Sequence, residues 1–173
     1  MVNVKASRTS LEFALSDFAG PDELANLLRV IEVLDQEPSV RPDDVHAGRR
    51  LRNAMLRCFE SALRGSPLPL HDVATLNSYA SDDPPVPVLR SDGGVSRTGI
   101  DPVPAAFAAI ARDAIDTIAS DASRLRICQD EHCRRIFMDR SRGKRRRWCS
   151  MQRCGNRAKI AAFRRRHASN ERD

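Results

Sequence analysis

Four cysteines carry the clearest chemistry in this sequence. Cys128 and Cys133 form one pair, Cys149 and Cys154 a second, and each pair encloses four residues. Fifteen residues separate Cys133 from Cys149. Two close pairs bring four soft thiolates to one ion. Zn2+ suits that set because it is borderline-soft and takes tetrahedral geometry; an iron–sulfur cluster is the alternative. Four cysteines fill the tetrahedron, so the ion is expected to be structural, with no open position for catalysis. His132 is a ligand by type, but it adjoins Cys133 and points away from it, so it is not expected to coordinate. Cys58, the fifth cysteine, falls in an apolar helical stripe and reads as a small buried hydrophobe.

The spacing also constrains the elements that hold the cysteines. Residues five apart lie about 140° around an ideal helix, so neither pair can close on one ion from a regular helix. Cys128 and Cys133 are expected on a turn. Cys149 is expected ahead of a helix, with Cys154 at or just before its first turn. Gly155 gives the backbone freedom there, and Asn156 is the candidate N-cap of a helix from Arg157 to about Arg166. The local core would be Leu125, Ile127, Ile136, Phe137, Trp148, Ile160 and Phe163. That is too little to fold alone, and metal binding of order ~10 kcal/mol would complete it.

The cysteines sit among cations. Residues 124–173 hold 17 Lys and Arg against five acids, a charge of +12; residues 1–123 hold 12 against 18, or −6, which together give the chain's +6. The split suggests two parts with different partners, the basic one attracted to a polyanion such as nucleic acid. Candidate contacts are Arg142, Lys144, Arg145, Arg146, Arg147, Arg157, Lys159, Arg164, Arg165 and Arg166. About half of them are expected instead to offset the thiolates or to line a solvated face. The helix from Arg157 should turn Ile160 and Phe163 inward and its cations outward.

The rest of the chain reads as mainly α. Helices are expected from Pro21 to near Pro38 (Leu24, Leu27, Leu28, Ile31, Leu34), from about Pro42 to Gly65 (Leu51, Ala54, Met55, Cys58, Phe59), and after Pro69 (Val73, Leu76). The arginines Arg49, Arg50, Arg52 and Arg57 would form a solvated face on the second of these. Val86–Leu89 and Val95–Arg97 flank Asp92-Gly93-Gly94 as a small β-hairpin, with Pro87 restricted to an edge. The most regular helical pattern predicts a helix from Pro102 or Pro104 to Ala122. It would join a helical domain, 1–123, to a small four-cysteine zinc module, 124–173. Residues 1–19 fit either a short strand or a first helical turn.

Several classes are not supported. No apolar run is long enough for a transmembrane helix, and the start has no secretory pattern, so a reducing cytoplasm is the expected compartment. Gly93-Gly94 lacks the spacing of a phosphate loop. His46, His71, His132 and His167 are scattered, and no nucleophile–base pair stands out, so an enzyme is not expected.

The segments Arg126-Ile127-Cys128, Phe137-Met138-Asp139-Arg140-Ser141-Arg142, Arg146-Arg147-Trp148-Cys149-Ser150-Met151 and Cys154-Gly155-Asn156-Arg157-Ala158-Lys159 resemble the CGNR zinc-finger family. Leu51-Arg52-Asn53-Ala54-Met55 and Ile110-Ala111-Arg112-Asp113-Ala114 resemble the helical ABATE domain usually found before it, which is described as a stress-induced transcription regulator. The resemblance implies a mostly helical bacterial protein whose C-terminal module binds zinc through Cys128, Cys133, Cys149 and Cys154 and binds DNA at the nucleoid. Two departures stand out. Glu12-Phe13-Ala14-Leu15-Ser16 replaces an Asp-Phe-x-Asn-Thr-like stretch, and the first knuckle, Gln129-Asp130-Glu131-His132, is unusually polar. Three functions fit: a DNA-binding transcriptional regulator, an RNA-binding module, and a zinc-stabilised scaffold. The helical domain is also a possible site of homodimerisation or of a protein partner.

Overall fold

In the computed structural model, residues 9–98 and 101–170 are described, the side chains of Thr98 and 165–170 excepted. The chain divides into two compact units that meet between Ser123 and Arg124. The first begins with α1 (Thr9–Ala14), α2 (Pro21–Val30) and α3 (Pro42–Arg64). It continues with α4 (Leu70–Ala80), a hairpin of β1 (Val86–Leu89) and β2 (Val95–Thr98), and α5 (Pro102–Asp121). Proline opens α2, α3 and α5, where it has no helical amide bond to lose and its φ already suits the first turn. The mainly helical class is the one observed: 57% of the chain is helical, with six helices and two two-stranded sheets among the described residues.

The first unit buries its core between α1, α3 and α5. Phe13 lies 5.7 Å from Phe18 and 6.0 Å from Phe107, ring centre to ring centre. Leu11, Leu24, Leu28, Leu51, Met55, Phe59 and Ile110 complete it. Gly48 lets α3 approach this cluster, since a Cβ there would sit 3.1 Å from the Phe107 ring. The backbone amide of Ser10 donates to Asp113 at 2.9 Å and so ties α1 to α5.

Residues 1–19, where the pattern fits either a strand or a helical turn, contain the short helix α1. Helix α2 ends earlier than its apolar stripe predicts. Glu32 adopts φ 58°, its amide donates to Arg29 O at 3.0 Å, and that of Val33 donates to Leu28 O at 3.2 Å. This double closure is a Schellman motif. Leu34 is buried all the same, so the stripe reported burial beyond the point where the helix stops. Helix α3 ends the same way with Gly65 in the left-handed position, as expected. Its arginines are more than a solvated face. Arg49 donates to the carbonyls of Phe18 and Ala19, Arg52 to Ser16 O at 2.7 Å and to Asp17 at 2.6 Å.

A 3-10 turn, Ala122–Arg124, spans the boundary, and the first strand of the second unit is β3 (Leu125–Ile127). β3 pairs antiparallel with β4 (Ile136–Met138), placing Leu125 opposite Met138, Arg126 opposite Phe137 and Ile127 opposite Ile136. A π-helical turn, Met151–Gly155, leads into α6 (Asn156–Asn170). The expected core needs correction. Leu125, Ile136 and Phe137 are buried, but Ile127, Ile160 and Phe163 are 44%, 53% and 55% exposed. Within this unit α6 packs chiefly on the turn before it, and its less exposed side is lined by Ala158, Ala161 and Ala162.

Candidate metal centre and basic surface

The hairpin brings the first cysteine pair to its turn. Cys128 follows β3, and its amide donates to Arg135 O at 2.9 Å. The chain then doubles back: Cys133 N and Arg134 N both donate to Asp130 O, at 2.9 and 3.1 Å, with Arg134 at φ 48°. The second pair spans the π turn. Ser150 caps it, its hydroxyl accepting from Arg153 N at 3.3 Å, and Cys154 lies in the turn itself. Asn156 is therefore not the cap. It already has helical geometry, and its side chain donates back to Gln152 O at 3.0 Å. The π turn starts the helical run earlier than the spacing argument allowed, and α6 runs past Arg166 to Asn170.

All four sulfurs lie within 4.8 Å of one another. Cys133 Sγ is 3.6 Å and Cys154 Sγ 3.7 Å from Cys149 Sγ. A tetrahedron of ~2.3 Å metal–sulfur bonds has edges of about 3.8 Å, so the set fits Zn2+. The separations are far too long for disulfides, ~2.05 Å. Cys128 and Cys154 are buried, Cys133 and Cys149 half-buried. His132 stands outside the set, with an exposed ring. Cys58 is buried in the helical unit, and burial pushes its thiol up to about 11.

The thiols titrate unevenly. Burial and the neighbouring sulfurs hold Cys149 above the ordinary thiol range. Burial and Cys133 do the same for Cys154. Burial also works against ionising Cys128, but the hydrogen bonds it accepts from the amides of Cys149, 3.5 Å away, and Asp130 and from the neighbouring thiols together outweigh it and bring that thiol down. A divalent cation would reverse the repulsion and take the sulfurs as thiolates.

Two buried carboxylates organise the surroundings. Asp130 accepts from Arg157 Nε at 2.7 Å and from His132 N at 3.1 Å. Burial alone would raise its pKa, but these bonds hold it below the ordinary carboxylate range. Arg157 also reaches Cys154 Sγ at 3.8 Å, an outer contact of the kind that orients a ligand. Asp139 is fully buried and accepts from Ser141 N at 2.9 Å and Arg146 N at 2.8 Å. It too is held low against the effect of its burial. Its two bonds fold residues 139–146 into a loop.

The ten candidate contacts separate accordingly. Arg146 turns inward: it donates to Trp148 O and Cys149 O and lies 5.5 Å from the Phe137 ring centre. Arg157 is held by Asp130. Arg147 lies over Trp148 and donates to Gln129 at 2.6 Å, joining the first knuckle to the strand entering Cys149. Arg142, Lys144, Arg145, Lys159 and Arg164 are exposed. The side chains of Arg165 and Arg166 lie outside the described residues. Four further exposed cations, Arg134, Arg135, Arg140 and Arg153, were missed. Their signal was adjacency to the ligands and to the loop.

Comparison with known proteins agrees with this geometry. The family model described as "CGNR zinc finger" matches residues 124–167. The model described as "Putative stress-induced transcription regulator", the ABATE domain, matches residues 7–121. A search of curated proteins finds no match. Among the described residues no helix is long and apolar enough to cross a membrane. Two thirds of this chain fall within the ABATE model, and the cysteine cluster falls within the second, so the chain belongs to the ABATE family and carries a CGNR zinc finger after that domain.

Proposed function

We propose that this protein is a cytoplasmic transcriptional regulator, not an enzyme, that grips duplex DNA with a zinc-folded module. One observation supports this above the others: the buried carboxylate of Asp139 and the flanking cysteine cluster fix a short loop, and the loop presents Arg140, Arg142 and Arg145 to solvent. Lys159 and Arg164 on α6 add to the same charge. Zn2+ would be held by Cys128, Cys133, Cys149 and Cys154 and would act by folding the module. Arginines on a fixed loop neutralise phosphates and release counterions, and each such contact adds about 0.9 to the slope of log affinity against log salt.

The test is fluorescence anisotropy with duplex DNA over a range of salt. The metal-loaded protein should show a steep slope, and Arg142→Gln with Arg145→Gln should lower it by about 2. Affinity that ignores salt, or that survives chelation unchanged, would remove the basis for the reading. The exposure of Phe163, an aromatic placed to stack on a base, favours RNA as the second reading. Competition by single-stranded RNA stronger than by duplex DNA would select it.

A further inference from the structure

Helices α3 and α4 are tied at both ends of their contact. At one end Arg57 donates to both oxygens of buried Asp72, at 2.8 and 2.6 Å. At the other the hydroxyl of Tyr79 donates to Ala47 O at 2.9 Å. The pairing of 57 with 72 and of 47 with 79 makes the helices antiparallel. Between the ties several lining residues are short: Ala54 on α3, and Ala74, Thr75 and Ser78 on α4. Long side chains set the spacing and short ones fail to fill it, which leaves a cleft of about 670 Å³. Pro104 and Phe107 of α5 also line it, and Tyr79 packs edge-on against Phe107 at 6.0 Å. The size lies within the range of small-ligand sites, roughly 300–1,000 Å³.

The charges around the cleft are not equivalent. Arg57 is neutralised by Asp72 and Asp44 by Arg41. Asp82 lies exposed in the lining. Arg50 differs from all of these. Among the described residues it has no carboxylate at ion-pair distance, and its guanidinium donates to the Tyr79 hydroxyl at 3.4 Å. A guanidinium presents a planar fork that matches a carboxylate. Arg50 lines the cleft together with polar Asn53 and Ser78 and the accessible apolar residues Ala47, Ala74 and Pro104.

We propose that this cleft binds a small organic carboxylate, with Arg50 taking the anionic group and the accessible Ala47, Ala74 and Pro104 surface taking its body. The ligand would be an effector of the helical unit. The inference does not depend on nucleic-acid binding, because every residue in it lies within residues 1–123.

The experiment titrates the full-length, metal-loaded protein with the fluorescent anion anilinonaphthalene sulfonate, then competes it with benzoate or the isosteric neutral benzamide. The expected result is one saturable probe site per chain, displaced by benzoate and not by benzamide at equal concentration. Arg50→Gln should weaken probe and benzoate about tenfold or more. Ala74→Leu and Ser78→Leu, each at an exposed position, should fill the cleft and abolish binding. Arg64→Gln, on α3 outside the cleft, should bind normally, and thermal unfolding checks that each variant is folded. Unsaturable probe binding, benzamide competing as well as benzoate, or folded Arg50→Gln and Ala74→Leu proteins that bind normally would each overturn the proposal.

Discussion

Replacing Cys149 with serine tests the metal centre most directly. Cys149 Sγ is 3.6 Å from one candidate ligand sulfur and 3.7 Å from another, and its loss removes one vertex, with its three edges, from the tetrahedron. The buried cluster at the heart of the module consists of Cys128, Phe137 and Cys154, with Cys133, Trp148 and Cys149 packed against it. Four of those six residues are the ligands themselves. A structural Zn2+ contributes ~10–16 kcal/mol in zinc-finger peptides. One ligand in four is then worth about 3 kcal/mol, or some two orders of magnitude in metal affinity. Competition against a chromophoric chelator reads the affinity, and limited trypsin digestion reads the fold at Arg140–Arg147. The native protein should hold one ion per chain and resist cleavage in the loop. Cys149→Ser should bind about 100-fold more weakly and be cut rapidly there, whereas Cys58→Ala should retain its metal. Because the thiols lose protons on binding, apparent affinity should rise with pH. A stripped protein digested no faster than the loaded one would refute the claim that metal folds the module.

Other outcomes follow from single contacts. Arg57→Gln leaves buried Asp72 without its cation and should lower stability by about 1–3 kcal/mol in urea denaturation at neutral pH. The Arg57 hydrogen bonds hold Asp72 below the ordinary carboxylate range, so this contribution is present above pH ~4 and fades as pH falls through the lower folded value. The variant should therefore show a shallower acid limb than the native protein. Asp139→Ala removes the acceptor for Ser141 N and Arg146 N; amide exchange at Arg146 should accelerate, and DNA affinity should fall while metal content holds. Ser10→Ala removes a buried hydroxyl that has no hydrogen-bond partner among the described residues, and its denaturation midpoint should be unchanged or raised.

Legibility in the sequence followed the physics of each signal. The cysteine pairs were readable because metal ligation depends on residue type and spacing. Prolines and helical periodicity located α3 and α5 because both act locally. The end of α2 was not readable, since Glu32 occupies a left-handed position that favours glycine. β4 escaped notice because three residues, Ile136–Met138, are too short to show an alternation. Ile160 and Phe163 were assigned inward on the assumption that the apolar residues of a helix are its buried ones, whereas both are about half exposed and the less exposed side of α6 is lined by alanines. The role of Arg146 was hidden because its side chain turns to the carbonyls of Trp148 and Cys149, which residue type does not signal, and that of Arg157 because its direction is set by a buried acid distant in sequence. Arg157 and Asp130 are 27 residues apart.

The loop from Asp139 to Arg146 is closed at three points: at its root by the buried carboxylate, and on either side by cysteines of one cluster. A flexible arginine-rich tail loses its freedom at the moment it grips a polyanion, and that loss weakens the complex. Here the ordering would take place when the metal is loaded. A partner should accordingly meet a rigid surface, with a small heat-capacity change on association and an encounter rate governed by ionic strength. Metal supply would then set how many copies of the protein are competent to bind, while each competent copy binds with the same affinity.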